Sequence, residues 1–543
     1  MVLASVLRTA RSESGMALRE LARRLGVNAG HLSRVERGKA KPSKALLVSI
    51  SEALGVQQER LLTLGGFLPD AWQQRAEREV FGRAGVYSDD PGIRENGPLA
   101  VAEHLVAFGC RIPARESLHL TDPLEDLFPR GCEVSPELNE IYELKLAMLE
   151  GSLLGREDLV RRGAYYVAVD GQPTNHFLIC TGGGVRLPRD SGARLRSFIG
   201  THRLKSSYAT HGLFPYRGKF HPQMVKALLN IMGLRPGDTV LDPMSGSGTT
   251  AVEASLMGID SVAIDASPFC TFLATTKIEA LTADVSALGK MRQDARTLDR
   301  VFGALGSEAG ARRVRDRRYR PTGMSREALD LLALAYLDSV GYAERSARKA
   351  ARGFFEDILG KYVETIARFQ SVWGGLGMAL GQAEVHTGDA RDLDLADNCI
   401  DGVLFSPPYS FAIDYLANDA PHLRFLGQDS EELRPTMVGL NARGRRQQVD
   451  SYFADMTRVL AEVARVLKPC RICTLVVGSN SSQLASALSV PEDDPAARFG
   501  IEGRLIQLGA EVGLDLELGI RRLIVGMANS MREEHILFLR KGA

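Results

Sequence analysis

The stretch 238–265, DTVLDPMSGSGTTAVEASLMGIDSVAID, limits the fold of this chain more than any other. A short apolar run predicts a buried parallel strand. Gly246 and Gly248 after it allow the backbone to turn sharply and to approach a ligand closely. The two threonines that follow are predicted to cap a helix. A second apolar run then ends at Asp265, roughly 20 residues beyond the turn, where an acid can accept both hydroxyls of a ribose. The stretch therefore predicts a nucleotide-binding half of an α/β sheet.

A second motif, DGVLFSPPY at 401–409, repeats the strand pattern and ends on a polar residue, two prolines and an aromatic. Open α/β sheets place their ligand crevices at such carboxyl ends of strands. Together with DPMSGSGTT, this motif resembles the S-adenosylmethionine-dependent amino-methyltransferases of DNA, which methylate the exocyclic nitrogen of cytosine or adenine. The resemblance covers about residues 210–275 and 384–540.

The resemblance implies S-adenosyl-L-methionine as the methyl donor, and because its sulfonium supplies the methyl group, no metal is implied. It also implies that a K-F-H-P cluster before the glycine turn opens a helix beneath the methionine end of the cofactor, and that an acid in the turn after the third strand meets the adenine. The cofactor-binding residues expected on these grounds are Lys219, Phe220, His221, Pro222, Asp242, Pro243, Ser245, Gly246, Ser247, Gly248, Thr249, Thr250, Asp265 and Asp389.

The second motif also fits the chemistry of amino methylation. An exocyclic base amine is a poor nucleophile because its lone pair is delocalised into the ring, and the Ser406 hydroxyl and the Pro407 carbonyl are candidates to hold that amine and localise the lone pair. Pro408 stiffens the loop, and Tyr409 offers a ring on which an extruded base can stack. These four residues are the predicted catalytic set. Serine in the first place is similar to the form common in cytosine-N4 enzymes, so cytosine is favoured over adenine.

The N-terminal 64 residues carry 11 Lys or Arg against 5 Asp or Glu, and their short helical segments are punctuated by glycine and proline. The spacing of apolar residues fits a helix-turn-helix, and the segment 31–43 resembles the Cro and phage-repressor class of DNA-binding domain. Its expected contacts to double-stranded DNA are Asn28, Ser33, Arg34, Arg37, Lys39 and Lys41, with Asn28 also capping the second helix. A helix-turn-helix used for dimerisation or protein contact is the alternative.

A long insertion separates the two motifs, and a compact α/β domain does not need a connection of that length. Its second part has sustained helical periodicity and is expected to form a bundle. Its first part contains ARRVRDRRYR, in which six arginines surround one Asp and Tyr319. Such a segment favours contact with nucleic-acid phosphates, although a solvated charged face is the ordinary alternative. The arginines are Arg312, Arg313, Arg315, Arg317, Arg318 and Arg320.

The length of 543 residues predicts several domains. We expect a Rossmann-like α/β methyltransferase sheet with a helical insertion, an N-terminal all-α helix-turn-helix domain and a small α+β middle domain. The expected boundaries are 1–64 for the helix-turn-helix domain, 65–200 for a linker and the middle domain, 201–275 for the cofactor half, 276–383 for the insertion with possible target recognition, and 384–543 for the catalytic half. Within the middle domain, two strands forming a hairpin are expected around 170–173, with His176 on a strand in a structural role.

The formal net charge is only +1, so nucleic-acid binding must rest on local basic patches. No apolar run is long enough to span a membrane and no signal peptide is apparent, which predicts a cytoplasmic protein. Cys470 and Cys473 form a CxxC without a second pair, and we interpret them as a turn residue and a small core residue.

The leading hypothesis is a site-specific DNA methyltransferase, with a restriction-modification or phage-defence partner conceivable. The alternatives are an adenine-N6 enzyme, a tRNA or RNA amino-methyltransferase, and a helix-turn-helix regulator with a cofactor-sensing domain. The tRNA guanine-N2 enzymes share a glycine turn and a Pro-Pro loop but usually carry Asp before the prolines.

Overall fold

The computed structural model describes residues 2–38, 40, 42–65, 67, 132–134, 141–181, 207–216, 218–345, 350–408, 415–440, 444–479, 481–491, 494–523 and 533–543. All structural statements below refer to these residues. Within them, no helix combines the length and the apolar character that crossing a bilayer requires.

The N-terminal region is a group of five helices around one core. The helices are α1 (Val2–Glu13), α2 (Leu18–Arg24), α3 (Ala29–Glu36), α4 (Lys44–Leu54) and α5 (Gln58–Leu64). Leu21, Leu32 and Leu47 are fully buried there, as helical spacing requires. The Asn28 side chain accepts a hydrogen bond from the Gly30 N–H, which confirms the predicted cap of α3.

A seven-stranded sheet forms the centre of the rest of the chain. Its strands are β4 (Thr239–Asp242), β5 (Asp260–Asp265), β6 (Ala383–Thr387), β7 (Ile400–Phe405), β8 (Leu467–Ser479), β9 (Leu514–Leu523) and β10 (Glu533–Lys541). The spatial order is β6-β5-β4-β7-β8-β10-β9. The first five in this order are parallel, and β10 pairs antiparallel with both β8 and β9. The order reverses between β4 and β7, which places a crevice at their carboxyl ends.

Both faces of the sheet are covered. Leu241 belongs to one apolar cluster and its neighbour Val240 to another, because successive side chains of a strand point to opposite faces. The helices around the sheet are α9 (Pro222–Ile231), α10 (Thr249–Leu256), α11 (Pro268–Glu279), α17 (Tyr415–Phe425), α18 (Ser430–Leu433), α19 (Arg445–Val466), α20 (Ser481–Leu488) and α21 (Pro495–Glu511).

The middle region departs from the sequence prediction after its hairpin. It contains β1 (Cys132–Val134), α6 (Ile141–Leu153), α7 (Arg156–Arg162), β2 (Tyr166–Val169), β3 (Gln172–Pro173) and α8 (Asn175–Thr181). The second strand is therefore only two residues long, and the prediction that His176 lies on a strand is wrong. The Thr174 hydroxyl accepts from the Phe177 N–H and donates to the Tyr166 carbonyl, so it starts a helix where a strand was expected.

The middle region also shares its core with the sheet domain. Leu146 of α6 and Tyr165 lie in the same apolar cluster as Leu228 of α9 and Ile536 of β10. Glu150 of α6 accepts a hydrogen bond from the Asn230 side chain of α9 at 2.7 Å. These elements therefore pack as a layer on the seven-stranded sheet.

The insertion is helical, as expected. Its helices are α12 (Ser286–Arg292), α13 (Ala295–Leu305), α14 (Glu308–Arg315), α15 (Arg326–Arg345) and α16 (Ala351–Trp373), and they share one apolar cluster with α11 and α17. The basic sequence NARGRRQQ at 441–448 predicts a loop that could touch DNA, but residues 445–448 already belong to α19, and 441–443 lie outside the described residues.

Candidate active site

A cleft of about 970 Å³, counting open solvent at its mouth, lies at the carboxyl ends of β4 and β7. The cleft brings together both sequence motifs although they are far apart in the chain. The predicted residues that line it are Lys219, Phe220, Asp242, Pro243, Ser245, Gly246, Ser247, Thr249, Asp265, Ser406, Pro407 and Pro408.

The glycine turn is held in a backbone conformation that favours glycine. Gly246 has φ +49° and Gly248 has φ +74°. A Cβ atom on Gly248 would lie 2.7 Å from Ala274 Cβ and 2.9 Å from Ala274 Cα, so α11 packs against the turn itself. The N-cap of α10 is Gly248 without a side-chain cap, so the prediction that the following threonines cap this helix is wrong. Thr249 and Thr250 stand inside its first turn.

A buried lysine supports the turn from behind. Lys277 of α11 is 1% exposed, and its Nζ donates to the Ser247 carbonyl at 3.2 Å. Burial lowers the pKa of Lys277 to about 7. The contact ties the glycine turn to α11.

Asp265 joins the turn to the next helix. Its Oδ2 accepts from the Gly246 N–H and its Oδ1 from the Ser267 N–H, each at 2.8 Å. Burial raises the pKa of Asp265, while these two hydrogen bonds lower it. The carboxylate is therefore oriented before any ligand arrives, with part of its accepting capacity still facing the cleft.

Two further carboxyl groups face the same space. Asp242 is 3% exposed and Asp419 of α17 is 8% exposed. Burial, with a smaller contribution from the nearby Asp265 charge, raises the pKa of Asp242 and of Asp419 to about 7 in each case, although hydrogen bonds lower it. Among the described lining residues, Lys219 is the only basic side chain, and its Nζ donates to the His211 carbonyl at 2.9 Å. The cleft is therefore suited to a ligand that carries positive charge.

Neither Asp419 nor its partner Tyr216 is among the site residues predicted from the sequence. The Tyr216 hydroxyl lies 3.3 Å from Asp419 Oδ2 and 3.2 Å from Cys270 Sγ, and the Tyr216 ring lies next to Gly246. These residues come from three separate segments and meet only because α11 and α17 pack together. The local sequence offers little to predict this contact: Tyr216 follows a Phe-Pro pair, and Asp419 lies inside a polar helix.

At the second motif, Ser406 follows directly on β7. Its Oγ donates to the Val476 carbonyl of the neighbouring strand at 2.8 Å. The hydroxyl proton is therefore used in this hydrogen bond, and toward the cleft the oxygen can act only as an acceptor. Tyr409 lies outside the described residues.

Five predicted cofactor residues are not among those lining the cleft: His221, Pro222, Gly248, Thr250 and Asp389. His221 and Pro222 begin α9, and Gly248 begins α10. The Asp389 carboxylate is held by Arg391 at 2.7 Å, and Arg391 also bonds Asp455. Ala390 lines the cleft beside it.

A buried charge network lies below Lys219. Glu253 Oε1 accepts from the Tyr208 hydroxyl at 2.5 Å and bonds His211 Nε2 at 2.7 Å, while Lys226 Nζ lies 3.2 Å from Oε2. Burial alone would raise the pKa of Glu253, but the Lys226 charge and these hydrogen bonds lower it to about 2. The network fixes the segment that carries Lys219 against α10.

The predicted DNA contacts of the helix-turn-helix are partly accessible. Arg34 and Arg37 are exposed, Ser33 is half-buried, and Asn28 uses its side-chain oxygen for the cap. Lys39 and Lys41 lie outside the described residues.

In the insertion, four of the six arginines are exposed and form no ion pair with a described residue. The other two are paired. Arg315 pairs with Glu308, and Arg317 pairs with Asp330 at 2.6 Å and with Glu279 at 3.4 Å. The four are Arg312, Arg313, Arg318 and Arg320.

Comparison with known proteins places the two regions. Residues 213–315 match the RMKL-like methyltransferase domain family, and residues 2–64 match a helix-turn-helix domain family. Residues 213–315 are therefore part of a methyltransferase domain, and residues 2–64 form a helix-turn-helix domain. This confirms the family and the fold class to which the sequence motifs pointed.

Individual relatives are similar over short stretches. The chain is 43% identical over 84 residues to the Type II methyltransferase M.MjaII of Methanocaldococcus jannaschii, which is 16% of this chain and 15% of that protein. It is 38% identical over 52 residues to the tRNA (guanine(10)-N2)-dimethyltransferase of Methanothermobacter thermautotrophicus, covering 10% and 16% of the two chains. It is also 40% identical over 83 residues to the transcriptional regulator ClgR of Mycobacterium tuberculosis, covering 15% and 69%.

The match therefore spans about 15% of the length of the first of these relatives. Among solved structures, a SAM-dependent methyltransferase from Methanosarcina mazei aligns over 57% of this chain and 94% of its own with a TM-score of 0.27 and 13% identity.

Proposed function

We propose that this methyltransferase transfers a methyl group from S-adenosyl-L-methionine to the exocyclic amine of an extruded DNA base, with cytosine N4 as the preferred acceptor. One observation carries the proposal. The Ser406-Pro407-Pro408 corner opens into the same cleft as the glycine turn and Asp265. A methyl donor and an acceptor base could therefore meet there without any movement of the sheet.

The cleft fits the methyl donor in charge. Asp242, Asp265 and Asp419 face it, and the single basic lining side chain among the described residues is held by a carbonyl. A sulfonium and an ammonium placed near these groups would favour their ionised forms. Bound there, the cofactor would supply an electrophilic methyl group, and the chain's own residues would bind and orient the donor and the acceptor amine.

The Ser406 oxygen suits the acceptor side of the reaction. Because its proton is donated to Val476, its lone pairs are left to accept an amine hydrogen. The Pro407 carbonyl is the second candidate acceptor on the same corner. Two acceptors that hold both hydrogens of an amine would turn its lone pair out of the ring plane, so no strong base is required.

The choice of DNA rests on the N-terminal domain. Arg34 and Arg37 are exposed on and beside α3, the second helix of the helix-turn-helix pair, as contacts to a duplex require. The choice of cytosine rests on serine at the first position of the motif, which is a shorter acceptor than Asp or Asn. Asp265 would hold the ribose hydroxyls, and Asp419 would serve the positively charged end of the donor.

A tRNA or RNA amine is the second candidate substrate. The similarity to the tRNA (guanine(10)-N2)-dimethyltransferase favours it, since that relative also carries an amino-methylating site. Serine in place of the usual Asp before the prolines and the helix-turn-helix domain stand against it.

The catalytic corner is tested by separating binding from transfer. Ser406→Ala should reduce methyl transfer to DNA by 10²-fold or more, in the range seen for loss of one preorganised partner of the reacting group. The Kd for the cofactor, measured by calorimetry, should stay within about twofold because the hydroxyl bonds Val476 and not the glycine turn. Ser286→Ala, on the exposed start of α12, is the matched control. Full transfer by Ser406→Ala would refute the assignment.

A further inference from the structure

The arginine-rich end of α14 and the turn after it form a basic face of defined geometry. Arg312, Arg313, Arg318 and Arg320 are exposed, and Asp316 is the one carboxylate within the same segment. Arg313 also stacks over the Tyr319 ring, with 5.7 Å between the guanidinium carbon and the ring centroid. The two other arginines of the segment are neutralised by Glu308, Asp330 and Glu279 and help to hold it in place.

A buried guanidinium anchors this face. Arg326 is 8% exposed, and its nitrogens donate to the carbonyls of Arg313 at 3.2 Å and Asp316 at 2.9 Å, and to that of Val314. Asp330, which is fully buried, accepts two hydrogen bonds from Arg326, at 3.1 and 2.7 Å. The last turn of α14 is thereby fixed by one cation that satisfies three main-chain carbonyls. A solvated charged run has no need of such an anchor, whereas a binding surface gains from being ordered in advance.

Two helices lead from the cleft to this face. Cys270 near the start of α11 lines the cleft, and Glu279 at the end of α11 pairs with Arg317. Asp419 of α17 lines the cleft, and just beyond the end of α17 a Cβ on Gly427 would lie 2.7 Å from Arg315 Nη1. At 1.5 Å per residue, both routes are about 12 to 14 Å long.

We infer that the basic face binds the phosphate backbone of the duplex whose extruded base enters the cleft. This inference rests on the proposed function, because it takes the cleft as the place of the target base. Its contacts fix register and contribute affinity without reading sequence.

The test is a salt titration of binding by the full-length protein to a random-sequence DNA duplex. Each arginine that neutralises a phosphate contributes about 0.9 to the slope of log K against log salt concentration. Replacing Arg312 and Arg318 by Gln should therefore reduce the slope by about 1.8 and weaken binding by roughly 60-fold at 0.1 M salt relative to the effect at 1 M. Both side chains are exposed, so the melting temperature should not change.

The matched control removes the same charge elsewhere. Arg504 of α21 and Arg521 of β9 lie toward the opposite edge of the sheet and make only loose ion pairs, at 3.9 and 3.7 Å. Replacing both by Gln should leave the slope within about 0.3 of the wild-type value, because neither contacts a phosphate. Equal slopes for the wild type and the Arg312/Arg318 variant would overturn the inference, and so would equal losses in the two double variants.

The outcome is distinguishable from failure of the proposed function. The titration reads binding and not methyl transfer. A wild-type protein that methylates DNA but shows no slope change in the variant refutes the basic face alone. A wild-type protein that methylates no DNA refutes the proposed function, whatever the slopes are.

Discussion

Gly248 gives a prediction whose size follows from the structure. Replacing it by Ala places a Cβ 2.7 Å from Ala274 Cβ and 2.9 Å from Ala274 Cα, and at least one of these atoms must move. Overpacking of this kind costs about 1 to 3 kcal/mol. The positive φ of +74° adds about 1 to 2 kcal/mol for a residue with a side chain. The free energy of unfolding should therefore fall by about 2 to 5 kcal/mol.

Two other glycines separate the cost of overpacking from the cost of the positive φ. Gly233 has φ +76° with nothing within 4 Å of an added Cβ, so Gly233→Ala should cost only the conformational part, about 1 to 2 kcal/mol. Gly246 has φ +49° with only Tyr216 at 3.8 Å, so its replacement should cost a similar amount. The difference between Gly248→Ala and Gly233→Ala isolates the contact with α11.

The assay is urea unfolding followed by circular dichroism, combined with calorimetric titration of the cofactor. Gly248→Ala should also weaken cofactor binding by tenfold or more, because displacement of the turn moves the groups that would face the ligand, and about 1.4 kcal/mol is tenfold. Gly233→Ala should leave the Kd unchanged. If Gly248→Ala destabilises the protein no more than Gly233→Ala does, the packing argument for the turn is wrong.

Three further predictions concern the buried charges. Burial raises the pKa of Asp242 and of Asp419 to about 7, so cofactor affinity should rise as the pH goes from 6 to 8, by at most about tenfold per unit for each proton released. The ligand-free protein should lose stability from about pH 4 to pH 7, since its native state holds protons that the unfolded chain has released. Asp419→Asn should flatten the binding profile, and an unchanged profile would contradict the role of Asp419. Arg326→Met should lower the free energy of unfolding by about 3 to 5 kcal/mol, because it leaves Asp330 buried without its main partner. The control Arg296→Met removes an exposed side chain and should lower it by less than about 0.5 kcal/mol. Equal melting temperatures of the two variants would refute the role of Arg326 as an anchor.

The local part of the site could be predicted from the sequence. The strand, glycine turn and helix around Gly246 form one continuous stretch, and their residue types alone fix the chain path. The corner at Ser406 follows from a buried strand that ends on two prolines. Family comparison then confirmed the methyltransferase fold and the helix-turn-helix domain.

What the sequence missed depends on packing between distant segments. Asp419 reaches the cleft only because α17 lies against α11. The residues of neither helix predict this contact. His176 was placed on a strand because the apolar run after the hairpin suits either structure, and the Thr174 cap decided for a helix. In the sequence, the six arginines of the insertion look equivalent. In the structure, ion pairs with Asp330 and Glu279 distinguish a paired arginine from the exposed ones.

Transfer of an isotopically labelled methyl group tests the central claim most directly. Purified full-length protein would be incubated with genomic DNA, with total tRNA in a parallel reaction, and with S-adenosylmethionine labelled in its methyl group. The nucleic acids would then be digested to nucleosides and analysed by mass spectrometry. Labelled N4-methylcytosine in the DNA is the predicted result, and it should disappear with Ser406→Ala. Labelled N6-methyladenine would correct the base, and label in tRNA alone would contradict the claim that this methyltransferase acts on DNA.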